Sequence, residues 1–174
     1  MFETERLILR KLLPTDLKAI FKMRKDPFVM RYIRGPQTDL DSSVKWIEMM
    51  TDKWDSEKIG FCGVVEKSTG DFIGWCGLWR LVGTDDIEVG YAIRKDHWGK
   101  GYATEAAARC LEYGFNDLGF SKIVAVAYPE NKASQNVMKK IGMKYVQTGI
   151  FYEKTLVQFA ISAEEYFSSS TTSS

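Results

Sequence analysis

Ile87-Glu-Val-Gly-Tyr-Ala-Ile-Arg-Lys-Asp-His-Trp-Gly-Lys-Gly-Tyr-Ala-Thr104 opens as an alternating strand, passes through a short polar turn and enters a long amphipathic helix. Successive side chains on a strand point to opposite faces, so Ile87, Val89, Tyr91 and Ile93 share one side and Glu88, Gly90 and Ala92 the other. The second face is nearly bare beside one carboxylate, and a backbone without a side chain at Gly90 admits close approach. Gly99 and Gly101 let the chain turn tightly just before the helix. The amides that run up to Thr104 are thereby aimed at one spot, where the helix dipole is positive. Such a spot accepts phosphate oxygens.

Other glycine-rich phosphate loops compete with this reading. The pattern Gly-x-x-x-x-Gly-Lys-Ser/Thr is absent. A dinucleotide fingerprint, Gly-x-Gly-x-x-Gly, is two-thirds present, with Thr104 at the third glycine and Glu130 after the next strand. It stays open as a runner-up. Against it, dinucleotide folds usually begin with this unit, whereas here helices and an antiparallel meander precede it.

With 174 residues and a formal net charge of +1, the chain is read as one domain, long enough to bury about 70% of its unfolded surface. The balanced charge disfavours nucleic acid and anionic membrane as partners. Three cysteines, Cys62, Cys76 and Cys110, lack a pairing pattern and read as buried free thiols in a reducing compartment. His97 is the one histidine, which leaves no histidine-rich metal site and makes any Ser-His-Asp triad depend on it. The acidic amino terminus and the absence of a run of about 18 apolar residues predict a soluble, cytoplasmic protein.

Taken in order, Arg6 to Lys11 predicts a strand and Pro14-Thr-Asp16 opens a helix that Asp26-Pro27 ends. A short helical piece follows over Phe28 to Ile33. A third helix carries Leu40, Val44, Ile47 and Trp54 along one stripe. Tyr32, Trp46 and Trp54 are read mainly as packing aromatics. Ile59 to Glu66 and Phe72 to Leu81 form a predicted hairpin, which leads into the Glu88 strand. Behind the turn, Ala103, Ala106, Ala107, Cys110, Leu111, Gly114, Phe115 and Leu118 repeat with helical spacing, and Gly119 supplies a stop. Lys122 to Ala127 is a short strand, Pro129-Glu-Asn131 starts a helix that Gly142 caps, and a closing hairpin is expected across Gly149. Ser168 to Ser174 reads as a disordered Ser/Thr tail, which leaves residues 1–167 as the folded domain.

Two stretches carry a family resemblance. Trp98-Gly-Lys-Gly-Tyr-Ala103 resembles the acyl-coenzyme A pattern Gln/Arg-x-x-Gly-x-Gly/Ala of the GNAT superfamily of N-acetyltransferases, with Trp98 in place of the usual Gln or Arg. The wording through Thr104 and Glu105 is similar to the branch of ribosomal-protein N-terminal alanine acetyltransferases. Asn131-Lys-Ala-Ser-Gln-Asn-Val-Met-Lys-Lys-Ile-Gly-Met143 resembles the family's Asn-x-x-Ala/Ser-x-x-Leu-Tyr-x-x-x-Gly-Phe helix. Read alone, Asn131 is a helix N-cap.

The resemblance implies an α/β fold with a mixed, mostly antiparallel twisted sheet, helices on both faces and a central parallel strand pair that splays. It implies acetyl-coenzyme A as cosubstrate. The coenzyme's pyrophosphate would meet Trp98, Gly99, Lys100, Gly101, Tyr102, Ala103 and Thr104. Its pantetheine arm would lie along Ala92, Ile93 and Arg94 by strand addition, with Asn131 helping to hold it. Arg94, Lys95, Lys100, Lys132, Lys139 and Lys140 flank the cradle.

Glu88 is the candidate base, through a water, with an ordinary strand carboxylate as the alternative. The family's usual tyrosine acid falls on Met138, which has no proton to donate. Ser134, one helical turn earlier, is the candidate acid; the alternative is a helix-capping hydroxyl. The reading is transfer of an acetyl group to a primary amine by direct attack in a ternary complex, with a protein N-terminal α-amine as acceptor, no metal, and a monomer or homodimer. A small amine, a nucleotide-binding oxidoreductase and a non-catalytic coenzyme A sensor stay open.

Overall fold

The computed structural model describes residues 2–171. Eight strands form one sheet in the order β1-β2-β3-β4-β5-β6-β8-β7. They are β1 (Phe2–Glu3), β2 (Leu7–Arg10), β3 (Gly60–Glu66), β4 (Phe72–Arg80), β5 (Ile87–Ile93), β6 (Lys122–Ala127), β7 (Lys144–Phe151) and β8 (Lys154–Ser162). Every neighbouring pair is antiparallel except β5 and β6. The helices are α1 (Leu17–Lys25), α2 (Pro27–Met30), α3 (Leu40–Glu57), α4 (Tyr102–Glu112), α5 (Lys132–Lys140) and α6 (Ala163–Thr171).

The alternation read in β5 sorts its two faces. Ile87, Val89 and Ile93 join a core with Ala106, Ala107, Cys110 and Leu111 of α4 and Met138 of α5. Small residues let α4 lie close to the sheet: the buried thiols Cys76 and Cys110 come within 3.5 Å across that contact. On the other face Ala92 packs with Trp75, with Met23 of α1 and with Val29 and Met30 of α2. Helices therefore cover both faces, as expected. Full burial of a side chain such as Leu111 or Ile123 contributes roughly 1.5–3 kcal/mol.

The face read as bare is partly filled. A Cβ placed on Gly90 would lie 2.9 Å from the Phe61 ring, so the glycine admits an aromatic of β3 rather than open space.

Four local expectations are corrected. The buried stripe of α3 is Ser43, Ile47, Met50 and Trp54, while Leu40 is exposed. The α4 periodicity passes at Tyr113–Asp117 into a single wider π turn. The closing hairpin turns at Tyr152 and Glu153, between the paired residues Phe151 and Lys154, while Gly149 sits inside β7 opposite Leu156. Finally, α6 runs into the Ser/Thr stretch expected to be disordered and reaches Thr171; residues 172–174 lie outside the described residues.

Candidate active site

The cradle is shaped by two residues with positive φ, Gly99 at 77° and Gly101 at 84°, the second forming the N-cap of α4. A side chain disfavours that conformation. Among the described residues, the amides of Gly99 through Thr104 find no acceptor within the chain, and the first α4 hydrogen bond runs from Glu105 N to Gly101 O. These are the unpaired donors that an anion at a helix N-terminus satisfies.

Trp98 is half exposed and anchors the loop by donating from Nε1 to the Ile93 carbonyl at 2.7 Å. Tyr102 turns inward and donates to the buried Glu66, which also faces His97. The other His97 ring nitrogen lies 2.9 Å from Asp96.

A clamp from the amino terminus fixes the far side of the cradle. Glu105 on the first turn of α4 accepts from the Thr4 hydroxyl at 2.5 Å, the Arg6 amide at 2.9 Å and Arg6 Nε at 2.7 Å. Arg6 also donates to the Lys100 carbonyl at 2.9 Å and lies over the Tyr102 ring. Burial pushes the Glu105 carboxyl up, but the Thr4 and Arg6 hydrogen bonds outweigh it and leave the group below its ordinary range. Thr4, Arg6, Glu66 and Glu105 were not singled out from sequence. The Thr4-Glu-Arg-Leu opening was the available signal, and its partners lie about a hundred positions away.

Along β5 the ladder to β4 is continuous, whereas β6 pairs only Ile123 with Ile87 and Val124 with Glu88. Beyond Glu88 that edge has no strand partner. Arg94 N donates to Ile73 O toward β4, so by strand alternation the backbone groups of Tyr91 and Ile93 face the open edge. Arg94 has spent its amide there and accepts from His97 N; its guanidinium is held by Asp96 at 2.5 Å. Ala92 points its side chain into the α1–α2 core. Lys95 lies over the Phe28 ring, while Lys100, Lys132, Lys139 and Lys140 form no ion pair among the described residues.

At the point of divergence, Glu88 Oε2 accepts a 2.5 Å hydrogen bond from the Tyr152 hydroxyl. Burial raises the Glu88 carboxyl to about 7, and the Tyr152 bond limits the rise. On the opposite side of the opening, Asn131 caps α5 by accepting from Ser134 N at 3.2 Å, the role its sequence position predicts. The Ser134 hydroxyl lies 2.9 Å from the Tyr91 hydroxyl, which also donates to the Ser134 carbonyl at 3.1 Å. Burial raises the Tyr91 phenol, which therefore stays protonated at neutral pH. Met138, in the place of the family's tyrosine, is buried in the core. Sequence reading missed both tyrosine partners of the two candidate catalytic groups.

The mouth beside Tyr152 is cationic. Arg34 reaches the Tyr152 hydroxyl with its charge, and Arg24, held at 3.1 Å on the Ser42 carbonyl, feels Arg34 in turn. Arg31 lies over Tyr32, whose ring contacts Tyr128 at 5.7 Å. None of Arg24, Arg31 and Arg34 is ion-paired among the described residues. No group of three or more His, Cys, Asp or Glu among those residues is arranged to hold a metal ion.

A mixed sheet that splays beside a helix N-terminus lined with free amides defines an acyl-coenzyme A binding fold, and the comparisons agree. The acetyltransferase (GNAT) domain model matches residues 6–144, and the chain belongs to that family. YkkB of Bacillus subtilis is 36% identical over 148 residues, covering 83% of this chain and 86% of its own. The N-acetyltransferase p20 of Bacillus licheniformis is 31% identical over 144 residues, 81% of this chain and 80% of its own. Among solved structures, the acetyltransferase from Agrobacterium tumefaciens superposes with a TM-score of 0.82 at 26% identity, over 92% of each chain. RimJ of Mycobacterium smegmatis in complex with CoA-disulfide (TM-score 0.79, 19% identity, 91% of this chain and 83% of that one) shares the fold. So does spermidine N-acetyltransferase from Vibrio cholerae in complex with CoA and spermine (0.77, 21%, 94% and 99%). The protein is a GNAT N-acetyltransferase, and acetyl-coenzyme A is the acetyl donor of its family.

Proposed function

We propose that this chain, as a single acetyltransferase domain, acetylates a protein N-terminal α-amine in the cytoplasm by direct attack within a ternary complex. Gly99 through Thr104 hold the pyrophosphate with their free amides, steadied by Trp98 and Lys100. The pantetheine arm runs along the open edge at Ala92, Ile93 and Arg94, where the Tyr91 backbone groups and the Ile93 amide are available while the Ile93 carbonyl is held by Trp98, and approaches Asn131. These residues fit the coenzyme because donors and an unpaired strand edge stand where an anion and an amide chain need them.

Glu88, through a water, takes the proton that the amine must lose. Ser134, oriented by the Tyr91 phenol, supplies a proton to the departing thiolate. The one observation that carries the reading is the placement of a single buried carboxyl, Glu88, at the mouth of the splay, held by the Tyr152 hydroxyl at 2.5 Å and raised to about 7. Proton transfer to such a base from an α-amine of pKa about 8 is uphill by about 1.4 kcal/mol, and from a lysine of about 10.4 by about 4.6 kcal/mol. The unpaired guanidinium groups of Arg24, Arg31 and Arg34 add a second argument: they repel a polyamine and tolerate a peptide with acidic residues.

The test is release of coenzyme A, measured side by side on ribosomal-protein N-terminal peptides, spermidine and an aminoglycoside at fixed pH and low salt. Peptides with a free α-amine are the expected best acceptors. Faster turnover of spermidine overturns the assignment.

A further inference from the structure

The turn that closes the last hairpin is unusual for its sequence. Phe151 pairs with Lys154 across two residues, Tyr152 and Glu153, with φ of 51° and 60°. Two-residue turns with both φ positive favour Asn-Gly or Asp-Gly, because glycine and asparagine tolerate that conformation and bulky side chains resist it. Here an aromatic residue occupies the first strained position. Its hydroxyl lands on Glu88, 64 residues away in the chain, and its ring packs against the cluster of Leu81, Val124, Phe151 and Leu156. Strain at a turn that delivers one side chain to a reacting group indicates selection for that delivery.

We propose that Tyr152 is the positioning residue of the base: the strained hairpin turn fixes its hydroxyl on Glu88 Oε2, which orients the carboxylate toward the splay and favours its ionised form. The proposal rests on the reading of Glu88 as the base. The groups around that carboxyl are few. Tyr152 faces it from the β7–β8 turn and Tyr91 lies near it on its own strand. Trp79 of β4 and Val124 of β6, its partners in register, carry no charge. Arg34, from beyond α2, acts on the Tyr152 hydroxyl. No second donor to Glu88 stands among the described residues, so loss of the phenolic hydroxyl has no local replacement.

Tyr152→Phe removes one hydroxyl and keeps the ring. A hydrogen bond to a charged group is worth about tenfold or more in an equilibrium, so the acid limb of the kcat/KM profile should move up by about one pH unit. Activity on one peptide acceptor should fall about tenfold at pH 6 and return to within about twofold of wild type at pH 9, with coenzyme A affinity unchanged. Should the phenylalanine variant fold poorly, Tyr152→Asn supplies a residue suited to the turn, also lacks the hydroxyl's reach, and should show the same displaced limb. A loss that is uniform across pH in whichever variant folds would make the hydroxyl merely structural and overturn the proposal. Glu88→Gln, profiled alongside, separates the two ideas. If it keeps the wild-type acid limb, the base assignment itself fails. If it replaces that limb with a rise set only by the amine's own ionisation, while the Tyr152 variants leave theirs in place, only the positioning role fails.

Discussion

Replacing Glu88 by glutamine should make the protein more stable and less active at once. In the fold the carboxyl sits at about 7, against an ordinary value of 4.5, mainly because burial penalises its charge. The folded state thus binds the proton more tightly than the unfolded chain does. That contribution favours folding at pH below about 4.5, fades as pH rises toward 7 and is fully lost above it. One pKa unit corresponds to about 1.4 kcal/mol, so the ionised carboxylate costs the fold about 3 kcal/mol at pH 8. Glutamine has nearly the same shape, still accepts from Tyr152 and carries no charge. Urea denaturation followed by tryptophan fluorescence at pH 5, 6, 7 and 8 should give a gap between variant and wild type that opens from about 1 kcal/mol at pH 5 to about 3 kcal/mol at pH 7 and above. Turnover on a peptide should meanwhile drop about 100-fold at pH 7 and recover as alkaline pH deprotonates the amine unaided. A stability gap that stays flat across this range would refute the reasoning, because the charge would then carry no burial penalty.

Gly101→Asp places a carboxylate on a positive-φ position beside the free amides and should abolish the rise in melting temperature that coenzyme A produces in calorimetry; undiminished stabilisation would move the phosphate site elsewhere. Ser134→Ala should lower kcat while coenzyme A affinity stays within a few-fold, whereas equal losses of binding and stability would return the hydroxyl to a structural role at the start of α5. Glu105→Gln weakens the clamp on the cradle and should destabilise the fold by about 1–2 kcal/mol at neutral pH. Because the Glu105 carboxyl lies below its ordinary 4.5 in the fold, this difference should be complete above that value and shrink as pH falls further, which acid titration of both proteins would check.

Periodicity made the frame legible. The i, i+3, i+4 run of α4 and the alternation of β5 are local patterns set by burial, and they located both the cradle and the strand beside it. Asn131 was readable for the same reason, since capping needs only the three residues that follow it. The hairpin turn was not, because Gly149 carries the stronger local turn signal while Tyr152 and Glu153 carry none; strand register and a distant hydrogen bond override propensity there. The partners of the candidate catalytic groups lay equally out of reach. Tyr91 reads from sequence as a core residue of β5, and only the packing of α5 against the strand brings its hydroxyl to Ser134. Glu105 reads as one of several charges on a helix surface until the amino terminus folds over it. Each of these contacts joins residues that no short-range pattern connects.

The seam between β5 and β6 also has a mechanical meaning. On either side of it the sheet is stitched along whole strands, but across it only Ile87 with Ile123 and Glu88 with Val124 are in register. Apart from that of the two-residue edge strand β1, no other ladder is as short, so this is the line along which thermal breathing or an applied pull should divide the body of the sheet. Glu88 stands at its end, and the proposed donor and acceptor both lodge in the wedge beyond. Bound together, they act as rivets between two otherwise loosely hinged plates. Hydrogen exchange at the β5 and β6 amides should therefore slow more in the ternary complex than with either ligand alone.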